Sequence, residues 1–354
     1  MNKKICLIFL FFSIQFILLN AVEKNYKAYH PKLIKSFALD QKVETIGRFY
    51  NFSVDKEGFI YVPDSAFANI KIFDSSGKLM RIVGKKGGGP SEFIDPVRIS
   101  INGDKIVIAD VGNLKYIILN KNFNEINRFF YLLSGQPFVL KGDKIISNEF
   151  YRGKDGREFR GVIIDISGKV LKGLIHKKRA RDAWEAIIDA MGYIDVSENG
   201  DIFLVKSGRV DIYKFDIKGN FIKKFGAQPD YFISPKRTKD FEDMVKWGRA
   251  PQGRKAGQNW YRSSSWISGI FVLKELIGIP IRTYKLEKNK WECFLQFYDF
   301  EGNLIEDGIY LPEIESSSDE GFSVCSDRMY NIYFLVGVES EPVQHVFYHY
   351  ILKE

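Results

Sequence analysis

A four-residue spacing, Asp-x-x-Gly, constrains this chain more than any other feature in it. It occurs as Asp74-Ser-Ser-Gly77, Asp165-Ile-Ser-Gly168, Asp216-Ile-Lys-Gly219 and Asp299-Phe-Glu-Gly302, each directly after a β-branched or aromatic run. Asn120-Lys-Asn122, after Tyr116 to Leu119, is a degraded copy. Aspartate bonds its own backbone two residues on and glycine supplies a positive φ, so each copy is a tight turn between antiparallel strands. The steps between copies are 46, 45, 51 and 83 residues. A repeating supersecondary unit of roughly 40 to 50 residues fits the first three steps, and the last holds one unit plus an insertion.

The stretch from Phe52 to Pro96 shows the whole unit. Val54, Phe59 to Val62, Ile70 to Phe73 and Leu79 to Val83 are four short β-type runs, with Asp55-Lys-Glu-Gly58 turning the first into the second. That first turn echoes at Asn102-Gly103-Asp104, Lys141-Gly142-Asp143, Glu198-Asn199-Gly200-Asp201 and Ser326-Asp327-Arg328. One four-stranded meander has an apolar face it cannot bury alone and two open edges, so it needs neighbours. The sixth sheet begins near Phe322, continues through Tyr330 to Val336 and ends with Val346 to Leu352, one strand short. Leu33-Ile-Lys-Ser-Phe37 is an orphan strand near the other terminus. Pairing the two closes the ring and removes the edge. The expected fold is all-β, a six-bladed β-propeller with N-to-C strand closure and two short helical or loop insertions.

Gly84-Lys-Lys-Gly87-Gly88-Gly89-Pro90-Ser91-Glu92-Phe93, with Pro96, resembles the inter-blade linker of NHL-repeat propellers. Asp110-Val-Gly-Asn113-Leu-Lys-Tyr-Ile117 resembles their Asp-x-x-Asn-x-basic-x-apolar signature, and Asp64 through Asn69-Ile-Lys-Ile is the same with two extra residues. The chain as a whole is similar to extracytoplasmic six-bladed propellers of the NHL/TolB-like type. The resemblance is motif-specific over the first two blades and rests on turn spacing beyond them. It also raises a metal-dependent hydrolase or lyase, because some propellers of this kind hold a divalent ion in the channel.

Residues 1–21 read as a secretory signal: Lys3 and Lys4, an apolar stretch from Ile5 to Leu19, and the small-residue exit Leu19-Asn-Ala21. Residues 22–354 then form the propeller, secreted or periplasmic. The alternative, an N-terminal membrane anchor, has only about 15 apolar residues where a span needs ~20. The formal net charge of +8 falls to +6 without Lys3 and Lys4, mild for a nucleic-acid binder, and no nucleic-acid motif accompanies it. Cys293 and Cys325 are expected to be buried free thiols, since nothing places them within bonding reach.

Two insertions, about 176–192 and 229–266, interrupt the β pattern. The first carries Ala183, Trp184, Ile187, Ile188 and Met191 at helical spacing behind Lys177, Lys178, Arg179 and Arg181. In the second, Phe241, Met244, Val245 and Trp247 follow a capped helix start, while Pro251 to Arg262 has no apolar periodicity. Lys236 to Arg262 holds eight basic and three acidic residues, interleaved with Trp247, Trp260 and Tyr261. Arginine and aromatic residues together recognise anionic or planar groups, so Arg249, Arg254, Lys255, Trp260 and Tyr261 are the candidate ligand-binding set.

Catalytic signals are absent. There is no Gly-x-Ser-x-Gly and no His-Glu-x-x-His, and Gly84 to Gly89 lacks the Lys-Ser/Thr of a phosphate loop. His345 and His349 share one face of a predicted strand but are too far apart to hold one ion unaided; His30 and His176 complete the histidines. The expected protein is a monomeric binding or scaffold module for a protein, peptide or anionic glycan. It is expected to have no cofactor, no nucleic-acid partner and no membrane span after signal cleavage.

Overall fold

Strand pairing in the computed structural model forms six antiparallel sheets arranged as blades around a central channel. The structure describes residues 29–176, 182–316, 321–338, 340 and 343–353. The proposed leader and the basic flank at Lys177, Lys178, Arg179 and Arg181 lie outside them. Blade 1 comprises Ser53–Val54, Ile60–Asp64, Asn69–Phe73 and Leu79–Val83, and blade 2 Pro96–Asn102, Lys105–Asp110, Lys115–Asn120 and Glu125–Phe130. Blade 3 runs from Phe138–Lys141 to Val170–His176 and blade 4 from Gly192–Val196 to Phe221–Phe225. In blade 5 the inner position is split between Ser265–Ile267 and Phe271–Val272, both paired with Leu276–Lys285.

Blade 6 is made by both ends of the chain. His30–Ala38 pairs antiparallel with Gln344–Lys353, from His30 opposite Lys353 to Ala38 opposite Val346, and becomes the outer strand of a sheet that continues inward through Asn331–Val338 to Phe322–Ser326. Phe37 stacks on Phe347 with ring centroids 5.1 Å apart. The expected closure is what the structure contains.

The turns work as their residues dictate. Asp74 Oδ1 accepts from Ser76 N at 2.9 Å and Lys78 N at 3.1 Å, and Gly77 takes φ +87°. Asp165 and Asp216 repeat this, Asp299 accepts from Asn303 N at 2.8 Å, and the three glycines take φ of +93°, +79° and +80°. A type I turn closed by a left-handed residue sets a bulge beside it. In the degraded copy the left-handed residue is Phe123, at φ +65°.

The core is six layers, one between each pair of neighbouring blades. Ile70, Ile72, Ile99, Ile106 and Ile108 fill the layer between blades 1 and 2. Phe49, Phe52, Ile60, Leu335 and Phe347 fill the layer across the closure. Both faces of each inner sheet are thus buried, and the middle strands read as continuous apolar runs rather than alternating ones. Cys293 and Cys325 belong to different layers and are free thiols. Burial pushes the Cys293 thiol up to about 12.

Three α-helices occur among the described residues, all in links between blades: α1 (Ala183–Ala190), α2 (Lys239–Trp247) and α3 (Pro251–Arg262). Asp182 caps α1 through Glu185 N, and Thr238 caps α2 through Phe241 N. The aperiodic stretch from Pro251 is α3. Its buried positions are Gly253, Ala256 and Trp260, so one of the three has no side chain and a second only a methyl group to read. Small residues are needed there: a Cβ at Gly253 would lie 2.4 Å from the Gly248 carbonyl oxygen, and one at Gly257 3.3 Å from Met244 Sδ. No helix among the described residues is long and apolar enough to cross a membrane.

Candidate functional site

The inner strands of all six blades wall one cavity of about 300 Å³, the central channel. Each inner strand starts at the face that carries the inter-blade links and helices, and ends at the face of the first hairpin turns. At the link face the lining includes Tyr50, Arg98, Tyr193, Ser268 and Phe322; at the turn face it includes Asp55, Lys56, Lys121, Asp327 and Arg328.

Arg98 is the charged member of an otherwise largely apolar inner strand, Pro96-Val-Arg-Ile-Ser-Ile. Its Nε donates to the Gly135 carbonyl at 2.7 Å and its Nη1 to the Tyr50 carbonyl at 3.4 Å, tying two inter-blade links to the channel mouth. No carboxylate among the described residues forms an ion pair with it. Burial pulls its pKa down, opposed first by Tyr193 and then by Glu149. Burial raises the Tyr193 hydroxyl, and the Arg98 and Arg282 guanidiniums oppose that rise. The buried Arg282 lies over the Phe322 ring at 4.7 Å and the Trp291 ring at 4.9 Å. Blades 2, 4 and 6 therefore bring a guanidinium, a phenol and an aromatic ring to one end of the channel, with the Arg282 guanidinium of blade 5 buried behind the Phe322 ring. Such a mouth suits an anionic or planar group.

Deeper in, Asp195 bridges two blades. Its Oδ1 accepts from Val196 N and its Oδ2 from Val272 N, both at 2.8 Å. Burial raises its pKa, against the Arg328 charge and these two bonds. Among the described residues, no group of three His, Cys, Asp or Glu is placed to hold a metal ion. His345 and His349 lie on the Gln344–Lys353 strand; His345 Nδ1 meets Gln41 Oε1 at 3.2 Å, and His349 Nε2 meets Asn331 Oδ1 at 2.7 Å.

The signature carboxylates act between blades, beyond bonding their own turns. Asp64 accepts from Gly47 N at 2.7 Å and Arg48 N at 3.1 Å; Asp110 accepts from Ile94 N at 3.0 Å and Asp95 N at 2.8 Å. Each thereby clamps the incoming link to the end of the second strand. Blade 3 does the same with Glu149, which accepts from Ser134 N at 2.9 Å and Gln136 N at 3.0 Å. Sequence reasoning missed Glu149 because it sits without the Asn partner of the signature.

The candidate ligand set from the second insertion is divided by the structure. Arg249, Arg254 and Lys255 are exposed on the α2–α3 hairpin. Trp260 is 3% exposed and belongs to the packing: Nε1 donates to the Lys236 carbonyl at 2.9 Å, and the ring meets Phe241, Trp184 and Trp266 at 5.3, 5.9 and 5.1 Å. Tyr261 is half-buried, stacked on Trp266 at 4.9 Å and tilted against Trp291 at 5.1 Å. The aromatic pair thus anchors the hairpin to blade 5 instead of facing a ligand. Trp260→Phe, which removes the indole N–H and leaves the Lys236 carbonyl short of a donor, is expected to cost about 1 to 2 kcal/mol in urea unfolding.

Fold and channel together define a six-bladed β-propeller. A family profile described as a 6-bladed beta-propeller (DUF5128) matches residues 43–176. A crystal structure of a Bacteroides fragilis protein described as exported is similar over 92% of this chain and 96% of its own, with a TM-score of 0.59 at 14% identity. A DUF4221 family member from Bacteroides vulgatus is similar over 93% and 99%, with a TM-score of 0.61 at 12% identity. No curated protein matches the sequence.

Proposed function

We propose that this chain is an extracytoplasmic binding or scaffold propeller of the NHL/TolB-like type, which holds the anionic group of a protein, peptide or glycan at the link-face mouth of its channel. Arg98 carries the reading. It is a guanidinium on a cavity wall whose hydrogen-bond partners are backbone carbonyls, and no carboxylate among the described residues forms an ion pair with it. A ligand carboxylate would complete it through the planar fork that arginine presents. Tyr193 and Phe322 are the neighbouring surfaces for the rest of the ligand.

Export is supported by the charged, apolar and small-residue order of residues 1–21, and the similar fold of the Bacteroides fragilis protein described as exported is compatible with it. Intact-mass measurement of protein from the native host should give a mature chain beginning near Val22.

The ligand site is tested by calorimetric titration with carboxylated oligosaccharides and with peptides bearing a free C-terminus. At least one class should bind, and Arg98→Ala should weaken it about tenfold or more, the loss of one charge-assisted bond. Undiminished affinity in Arg98→Ala would move the site away from the channel mouth.

A further inference from the structure

The helical hairpin carries charge that its own ion pairs do not absorb. From Met244 to Asn259 there are four basic residues, Lys246, Arg249, Arg254 and Lys255, and no acidic one. The base of the hairpin is different: Arg237 pairs with Asp182 and Glu242, and Lys239 pairs with Asp243. Charge is neutralised near the blades and left bare at the tip. Arg249, Arg254 and Lys255 are exposed, and the bond the Arg254 side chain makes, from Nε, goes to the Arg249 carbonyl at 2.8 Å.

The tip also carries an exposed apolar pair. Trp247 is 44% exposed and Val245 42%, and Lys246 Nζ sits 4.8 Å from the Trp247 ring centroid. This is the tryptophan that the packing does not use; Trp260, Trp184 and Trp266 are committed to the aromatic cluster below. That cluster, with Phe241 and Trp291, packs the hairpin against blade 5. No residue of the hairpin lines the channel or the groove at the edge of blade 3.

We propose that the hairpin tip docks on an anionic phospholipid bilayer, with Trp247 and Val245 at headgroup level and Arg249, Arg254 and Lys255 against the lipid phosphates. Tryptophan settles at the water–lipid boundary because one part of its ring is apolar and its N–H is polar. Clustered lysine and arginine without acidic neighbours are drawn to a negative surface over a Debye length. A bilayer needs only these two properties. A small anion needs donors converging in a concavity, and neither the channel nor the blade 3 groove includes a hairpin residue; a stable protein partner needs about 800 Å² of complementary surface per side. Charge complementarity therefore favours lipid.

The test is co-sedimentation of the mature chain with phosphatidylcholine vesicles, with and without phosphatidylglycerol. Binding is expected only with phosphatidylglycerol present and should fall as salt is raised. The triple variant Arg249→Ala, Arg254→Ala, Lys255→Ala should bind roughly a hundredfold more weakly, at about fivefold per charge, with its melting temperature unchanged because all three residues are exposed. Trp247→Phe should abolish the lipid-induced blue shift of the tryptophan emission. Equal binding to both vesicle types, binding to neither, or a triple variant that sediments like the native chain would overturn the proposal. So would charge-dependent capture of heparin without capture by vesicles, which would return the tip to a soluble polyanion.

Discussion

Asp64→Ala is expected to destabilise the propeller by about 3 to 5 kcal/mol, the cost of removing the buried partner of a buried charge together with an acceptor of three backbone donors, and to lower the melting temperature by about 5 to 15 °C. Lys71 is fully buried and its ammonium meets Asp64 Oδ2 at 2.7 Å and Glu44 Oε1 at 2.8 Å. Asp64 is equally buried, and it also accepts from Gly47, Arg48 and Ala66 N–H groups. Alanine at this position takes away one of the two carboxylates that hold the buried cation and leaves three donors without their acceptor. Adding Lys71→Met should recover part of the loss, because the buried charge goes with it. Asp110→Ala should cost less, since Asp110 clamps a link but faces no buried lysine. Thermal melts of the three variants and the native protein decide it; an Asp64→Ala protein melting within a degree or two of the native one would show that the network contributes nothing.

The closure seam should be sensitive to acid through His345. This residue is 5% exposed, its ring lies edge-on to Phe49 at 5.2 Å, and its Nδ1 meets Gln41. Asp64 and Lys71 of blade 1 face it from across the seam. Burial lowers its pKa to about 4; Asp64 opposes that shift and Lys71 adds to it. An unfolded chain binds the proton near pH 6.5 and the folded one near 4, so the unfolded state holds more protons between those values. Stability from this group is complete above about pH 6.5 and drains away as pH falls to about 4. The loss is on the order of 2 to 3 kcal/mol. His345→Gln keeps a polar group opposite Gln41 and cannot titrate. Urea midpoints of native and variant protein should therefore diverge between pH 7 and 4, the native protein losing more. Parallel curves would remove His345 from the account.

Much of the architecture was legible because its signals are local. Asp74, Asp165, Asp216 and Asp299 each set a turn within four residues, and the orphan strand at Leu33 to Phe37 had one unpaired edge to join. Asn120 was readable as a degraded turn, though nothing indicated that Phe123 would take the left-handed position. The helix from Pro251 escaped notice because its buried face is largely glycine and alanine, chosen for close approach to the neighbouring helix. Glu149 escaped for a related reason: its function as a clamp depends on a link 13 to 15 residues earlier in the chain.

The amino-acid order by itself determined the number of blades and how the ring closes, because turn chemistry and strand parity are properties of short segments. Only the tertiary structure decided which aromatic residues are spent as packing and where the uncompensated charge lies. Trp247 and Trp260 are alike in sequence and opposite in burial, since burial depends on what folds over each. Arg98, Tyr193 and Phe322 come from three blades, and only closure of the ring around the channel brings them to one mouth.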